Sequence, residues 1–212
     1  FADDVTQKLA VTYLESGESG RAAVEFERIA DLGSSSDEVR REALWRASDL
    51  YQKTGVLSGE RRVLGNILQR YPNPLSESIE ARFRLLEIAR QTGNDDKVTA
   101  YLKELVQIDA TAGAQRSDRT RFLAAKASIE LADPIRRRFE VVKLSQPLAR
   151  SLKLKKGLME EVIAAYSDAA AYGVAEVTTA STFRLGEVYE QFSIDLMDSD
   201  RPADLDMDAL EQ

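Results

Sequence analysis

Apolar residues recur at intervals of three and four positions along most of the chain, which is the spacing of one face of an α-helix. The pattern is clearest where Ala43, Leu44, Ala47, Leu50 and Tyr51 follow one another. No segment alternates apolar and polar residues over the length of a β-strand. The sequence therefore predicts an all-α protein built from amphipathic helices that each bury one face.

Glycines divide the first half of the chain into equal intervals. Gly17, Gly55 and Gly93 recur every 38 residues, with one amphipathic segment before each glycine and another after it. A repeat of a few tens of residues is typical of stacked helix hairpins, and glycine readily adopts the left-handed backbone that ends a helix. The predicted helices cover residues 5–16, 21–32, 38–54, 59–71, 76–92 and 95–109.

The second half of the chain is less regular. Residues 119–131 predict one further first helix. Asp133 followed by Pro134 predicts that a new helix begins there, because proline is favoured at the first helical position. Pro147 predicts a kink or break near residues 145–146. The helical pattern then returns over residues 148–172, and again from residue 176 to about residue 197.

One six-residue stretch occurs twice: FRLLEI at residues 83–88 returns as FRLGEV at residues 183–188. Stacked repeats make the same contacts with their neighbours in every unit, so they reuse the same helix face. We therefore interpret the two stretches as equivalent faces of two first helices. Phe83 and Phe183 are expected to lie partly in the core and partly in a lining surface.

The hairpins resemble the tetratricopeptide repeat. The second unit reads EALWRASDLYQKTG and then RRVLGNILQRYPN, where Tyr51, Gly55 and Pro72 match the family's aromatic residue, inter-helix glycine and closing proline. Residues 185–189 reproduce its Leu-Gly-x-x-Tyr run. The chain departs from the family in its longer period and in Glu60, which stands where a small alanine is expected.

This resemblance implies a right-handed α-solenoid of about five helix hairpins over residues 1–198. The fourth unit is degenerate and is followed by a long or kinked helical segment. Residues 199–212 are predicted to be an acidic linker or the start of a further segment, and the chain to be a part of a longer protein. RYPNP at residues 70–74 is similar to repeats of bacterial envelope proteins, namely the outer-membrane-assembly lipoprotein and the Tol–Pal cell-division coordinator. It implies a periplasmic or envelope-associated protein, with the cytoplasm as the alternative.

In such a solenoid the first helices line a concave surface, so the resemblance also implies a binding site. Its aromatic residues would bury apolar side chains of a peptide or helix of a partner protein, and its carboxylates would attract a basic segment. The alternative interpretation is that the aromatics are inter-helix packing and the carboxylates a solvated face. The positions are Asp4, Gln7, Val11, Glu42, Trp45, Asp49, Gln52, Glu80, Phe83, Glu87, Arg90, Phe183, Glu187 and Glu190.

Composition argues against catalysis. Among its 212 residues the chain has neither histidine nor cysteine. It therefore lacks the commonest general base, the commonest metal ligand and any thiolate nucleophile. It also has no glycine-rich phosphate loop and no nucleophile motif. We expect no enzyme activity, no cofactor and no metal site, with a carboxylate-based hydrolase as the catalytic alternative.

Net charge and hydropathy limit the kinds of partner that the chain is expected to bind. A net charge of −7 argues against nucleic acid, whose phosphates need a surplus of lysine and arginine. No apolar run reaches the roughly 18 residues of a membrane span. DLDMD at residues 204–208 begins like a calcium loop, but Ala209 stands where that loop needs glycine.

One basic stretch stands out in this acidic chain. It could meet anionic lipid or an acidic partner, although the solvated side of an amphipathic helix is the favoured interpretation. The leading functional hypothesis is a non-catalytic protein–protein interaction scaffold. The alternative is a structural spacer or self-association module without a peptide groove. The basic residues are Arg136, Arg137, Arg138, Lys143, Arg150, Lys153, Lys155 and Lys156.

Overall fold

A computed structural model describes the backbone of residues 2–199 and the side chains of residues 5–199. Nine α-helices, one short 3-10 turn at Gly113–Gln115 and no strand occur in that range, which confirms the prediction of an all-α protein. The helices are α1 (Ala2–Glu15), α2 (Ser19–Asp31), α3 (Asp37–Thr54), α4 (Leu57–Arg70), α5 (Leu75–Gln91), α6 (Asp95–Thr111), α7 (Asp118–Val141), α8 (Leu148–Ala170) and α9 (Ala175–Met197).

The three predicted hairpin turns share one backbone geometry. Gly55 follows α3 with a φ of 70°, in the left-handed region, and the Val56 N–H donates to the Tyr51 carbonyl at 2.9 Å. This bond satisfies a carbonyl at the end of the helix. Equivalent bonds run from Glu18 to Tyr13 at 2.8 Å and from Asn94 to Ala89 at 2.9 Å. The 38-residue spacing of the glycines is therefore the spacing of one repeated turn.

The prediction that a new helix begins at Pro134 is wrong. Pro134 lies inside α7, which runs without interruption from Asp118 to Val141. A proline removes one backbone hydrogen bond from a helix interior, but Ala132 and Phe139 on either side of it are fully buried and hold both halves of α7 against the core. Asp133 is not a helix cap and instead accepts a hydrogen bond from the Tyr166 hydroxyl at 3.1 Å.

The predicted break near Pro147 is confirmed. The backbone leaves the helical conformation after Val141 and resumes it at Leu148, directly after the proline. Because the proline ring fixes φ and removes a donor, Pro147 is suited to the position before a helix rather than its interior. The Ser151 hydroxyl donates to the Ser145 carbonyl at 2.7 Å and ties the start of α8 to the loop.

The chain divides into two compact units whose boundary falls within α6. Among the described residues, unit 1 contains those up to Leu105 together with Ala112–Gln115, and unit 2 contains Val106–Thr111 and those from Arg116 onward. In unit 1 the buried core joins helices α1 to α5, and includes Leu44, Leu64 and Ile67. In unit 2, α7, α8 and α9 enclose a separate core. Their stacking as a solenoid stays a prediction.

Candidate functional site

An open groove of about 290 Å³ lies among α1, α2 and α3 of unit 1. Val11 and Val39 in its wall are 51% and 40% exposed, so apolar side chains face solvent there. Three of the predicted positions, Gln7, Val11 and Glu42, line this groove together, whereas the side chain of Asp4 lies outside the described residues. The full lining is Gln7, Val11, Phe26, Ile29, Val39, Glu42, Ala43 and Arg46.

The start of α3 fixes one wall of the groove. The Ser36 side chain accepts a hydrogen bond from the Val39 N–H at 3.3 Å, which caps the helix and satisfies one of its free donors. Val39 therefore stands in the first turn of α3, and Glu42 and Ala43 follow one turn later on the same face. The N-cap residue Ser36, a residue type favoured at that position, therefore fixes the place of the exposed Val39 side chain.

Trp45 is partly a packing residue. Its half-buried ring contacts the core of unit 1, and its indole N–H donates to Glu77 Oε2 at 2.8 Å. The Arg84 guanidinium lies 5.9 Å from the ring centroid, within the range of a cation–π contact. For this residue the structure supports the inter-helix interpretation, while leaving part of the ring accessible.

Asp49 belongs to a network around Arg84. Arg84 is almost fully buried and donates to Asp49 Oδ1 at 2.8 Å, to Glu60 Oε1 at 3.0 Å and to the Ser48 carbonyl at 3.1 Å. Burial raises the pKa of the Glu60 carboxyl, and the Arg84 charge opposes that rise. The glutamate that breaks the tetratricopeptide pattern is therefore the buried partner of an arginine within the FRLLEI stretch.

Several predicted carboxylates are already paired with arginines, mostly three or four positions away on the same helix. Exposed pairs of this kind contribute little to stability, but each arginine offsets one negative charge. The predicted surface is therefore less acidic than its carboxylates alone imply. The pairs are Glu42 with Arg46 at 3.5 Å, Asp49 with Arg84 at 2.8 Å, Glu87 with Arg90, and Glu187 with Arg184 at 2.7 Å.

The remaining predicted positions differ in exposure. Glu80 and Phe83 on α5 are half-buried, whereas Gln52 and Glu190 are exposed. Phe183 is 64% exposed, although it occupies the same place in its six-residue stretch as Phe83. Residues of α9 belong to unit 2 and those of α3 and α5 to unit 1. A surface shared by all of them stays a prediction.

Lys155 does not belong to a solvated face. Its side chain is fully buried, donates to the Val142 carbonyl at 2.7 Å, pairs with Asp195, and lies 4.5 Å from the centroid of the Phe139 ring. Sequence reasoning missed this role because Asp195 lies on a helix forty positions later in the chain. Most of the other basic residues of this stretch lie at the surface. The exposed ones include Arg137, Lys143, Arg150, Lys153 and Lys156.

The largest pKa shifts among the described residues are those of two tyrosines. The pKa of Tyr51 is raised to about 12 by burial and by its hydrogen bond to the Glu27 carboxylate. Burial and Asp133 raise the pKa of Tyr166 to about 12 in the same way. Both hydroxyls therefore keep their protons at neutral pH and act as hydrogen-bond donors between helices.

Neither a metal cluster nor a membrane-spanning helix occurs among the described residues. No three Asp, Glu, His or Cys side chains in that range are grouped to hold a metal ion. No helix there combines the length and the apolar character needed to cross a bilayer. The DLDMD segment lies outside the described residues.

Comparisons with known proteins do not assign a family. No protein-family model matches the chain, and no curated protein matches it either. The tetratricopeptide resemblance therefore depends only on the repeat residues of the chain itself, such as Tyr51, Gly55 and Pro72.

Proposed function

We propose that this chain is a non-catalytic interaction scaffold that binds a peptide or helix of a partner protein in the groove among α1, α2 and α3. The observation that carries the proposal is the exposure of Val11 and Val39 in the wall of a groove that has room for a side chain. Exposed apolar surface with a polar rim is a frequent property of protein-binding sites.

The lining supports a ligand that is mainly apolar at its centre. An aliphatic or aromatic side chain between Val11 and Val39 would lose contact with water on both sides. Glu42 at the rim carries a negative charge that Arg46 partly offsets, so a basic residue of the ligand would gain only a modest attraction. We therefore expect apolar contacts to set the dissociation rate and charge to set the association rate.

The test begins with selection of peptides and short helices from a displayed random library on the immobilised chain. The affinity of the selected ligands is then measured for Val11→Arg, for Val39→Arg and for Val24→Arg. Val24 is a matched control because it is also exposed, at 42%, and lies on α2 outside the groove. We expect the two groove variants to lose about tenfold or more in affinity, and the control to bind like the wild type. Equal binding by all three variants would refute the groove.

Self-association is the second candidate, and it is favoured by a different feature of α1. Val5 and Leu9 are separated by one helical turn and are 47% and 37% exposed. An uncovered apolar helix face of this kind can pair with another copy of the chain. Sedimentation over a range of concentrations separates the candidates, because a monomer at all concentrations favours the groove and a tight dimer favours self-association.

Because the RYPNP segment is similar to repeats of bacterial envelope proteins, we propose that the partner belongs to an assembly of the bacterial envelope. Fractionation of cells that produce the natural protein tests this location, and recovery with the cytoplasmic fraction would argue against it.

A further inference from the structure

A second cavity, of about 350 Å³, lies between α4, α5 and α6 of unit 1. This volume is at the small end of the range for ligand pockets. It is formed by helices other than those of the α1–α3 groove, so it is a separate feature of the unit. Its lining is Arg61, Gly65, Leu85, Ile88, Ala89, Thr92, Asn94, Lys97 and Tyr101.

The floor of the cavity is apolar. Leu85, Ile88 and Ala89 of α5 are buried side chains of the core that also face this space. Gly65 on α4 contributes no side chain, and apart from its chain neighbours and the adjacent backbone of α4 no atom lies within 4 Å of the position where its Cβ would be. A small aliphatic group could therefore fill the space beside Gly65 and cover the floor.

Two cations at the cavity have no carboxylate partner. Neither Arg61 nor Lys97 forms an ion pair with a described residue. Neighbouring guanidinium groups behave differently, since Arg62 pairs with Glu27 at 2.6 Å and Arg82 pairs with Glu104 at 2.8 Å. Both side chains are exposed to solvent. In a chain with more acidic than basic residues, these two unpaired cations give the cavity a local positive charge that favours an anion.

Tyr101 adds a neutral donor. Its hydroxyl makes no hydrogen bond to a described residue. Burial and the nearby Glu104 carboxylate raise the pKa of Tyr101, while the charges of Arg61 and Arg82 oppose that rise. The other polar side chains are already engaged: the Thr92 hydroxyl donates to the Ile88 carbonyl at 2.8 Å, and Asn94 Oδ1 accepts from the Lys97 N–H at 3.0 Å. The side chains of Arg61, Lys97 and Tyr101 therefore stay available to a ligand, as does the amide NH2 of Asn94.

From these observations we propose that the cavity binds a small amphipathic carboxylate. The aliphatic part covers the floor formed by Leu85, Ile88 and Ala89. The carboxylate accepts hydrogen bonds from Arg61 and Lys97, which are strengthened by charge, with Tyr101 as a further donor. Such a ligand is either a free short-chain acid or the C-terminal residue of a peptide, because both present an anion beside an apolar group.

The probes for the experiment are hexanoate for a free acid and N-acetyl-leucine for a peptide terminus. Hexanol and N-acetyl-leucinamide are matched probes without the charge. Each is titrated into the isotopically labelled chain and followed by the amide resonances of Gly65, Thr92, Asn94 and Tyr101. We expect saturable shifts with both acids and none with the neutral probes. Tighter binding of N-acetyl-leucine assigns a peptide terminus, and tighter binding of hexanoate assigns a free acid.

Variants separate the cavity from a general effect of charge. Lys97→Gln should weaken binding by about fivefold or more, whereas Lys103→Gln, an exposed lysine on the same helix outside the cavity, should change nothing. Gly65→Leu should abolish binding by filling the space, while its greater helix propensity keeps α4 folded.

The proposal is overturned if the neutral probes bind as well as the acids, if neither acid gives saturable shifts, or if Gly65→Leu binds like the wild type. Failure of the α1–α3 groove would leave these measurements unaffected, because no residue lines both sites.

Discussion

At the scale of single residues, the guanidinium of Arg84 holds three helices of unit 1 together. It extends from α5 to Glu60 on α4 and to Asp49 and the Ser48 carbonyl on α3. The transfer of a charge from water into the protein interior costs free energy. The partners of the charge offset that cost only while all of them are present. We therefore expect the network to specify the arrangement of α3, α4 and α5 more than it adds to stability.

Removal of one partner should show this dependence. Glu60→Leu is expected to lower the free energy of unfolding by about 3 kcal/mol, because Arg84 then loses its buried carboxylate partner and keeps only the exposed Asp49. Glu60→Leu combined with Arg84→Met should recover most of that loss, since neither charge is left. Urea unfolding of both variants provides the measurement, with Glu42→Leu as an exposed control expected to change little. A double variant no more stable than Glu60→Leu would contradict the network.

The Tyr51 hydroxyl predicts a dependence of stability on alkaline pH. In the folded chain its pKa is raised to about 12 from the ordinary value of 10.0. Below pH 10 both folded and unfolded tyrosine are protonated, and this stabilisation is complete. As pH rises toward 12 the unfolded chain loses its proton first, so the stabilisation is lost. Urea unfolding should show the difference between wild type and Tyr51→Phe shrinking over that range, and a constant difference would disprove the assignment.

At the scale of elements, periodicity predicted most of the helices, because each hairpin is encoded by local signals. Gly17, Gly55 and Gly93 occupy the left-handed turns that their spacing implied. The error at Pro134 has a different origin. A local preference for a helix start was overridden by the packing of Ala132 and Phe139, and that packing depends on residues far away in the sequence.

Two glycines in neighbouring elements should respond oppositely to the same substitution. Gly55→Ala is expected to cost about 1 kcal/mol, because a Cβ disfavours its left-handed backbone. Gly65→Ala should stabilise by about 0.5 to 1 kcal/mol, since Gly65 is inside α4 and has open space around its Cβ position. Thermal unfolding followed by circular dichroism measures both. Equal effects of the two substitutions would show that backbone conformation is not the cause.

The candidate site was less predictable than the helices. Positions carried over from the repeat pattern placed Gln7, Val11 and Glu42 at the same groove. The pattern could not show that Asp49 is engaged by Arg84, because the two residues are 35 positions apart and meet only in the folded unit. The cavity beside Tyr101 was missed for the same reason, since its cations come from separate helices.

At the scale of the whole molecule, the two units contain separate buried cores. The chain has a single tryptophan, Trp45, which lies in the core region of unit 1. Its fluorescence therefore reports the unfolding of unit 1, whereas the helical signal of circular dichroism reports both units. Units with separate cores are expected to unfold with separate midpoints when one of them is destabilised.

A substitution in unit 2 tests this independence. Val162 is fully buried between helices of unit 2, and Val162→Ala should destabilise that unit by about 2 kcal/mol. In urea the circular dichroism transition should broaden and begin earlier, while the midpoint of Trp45 fluorescence should not move. If both signals shift together by the same amount, the two units unfold as one.

The repeated turn also makes the first half of the chain modular. A segment cut after Gly55 and after Gly93 begins and ends at the same left-handed joint, closed by the same backbone hydrogen bond. Removal or duplication of such a segment joins two ends of matching backbone geometry, so the turn between the flanking helices is kept. An engineer could therefore lengthen or shorten this part of the protein in steps of one hairpin, and graft new ligand-contacting residues without designing a new connection.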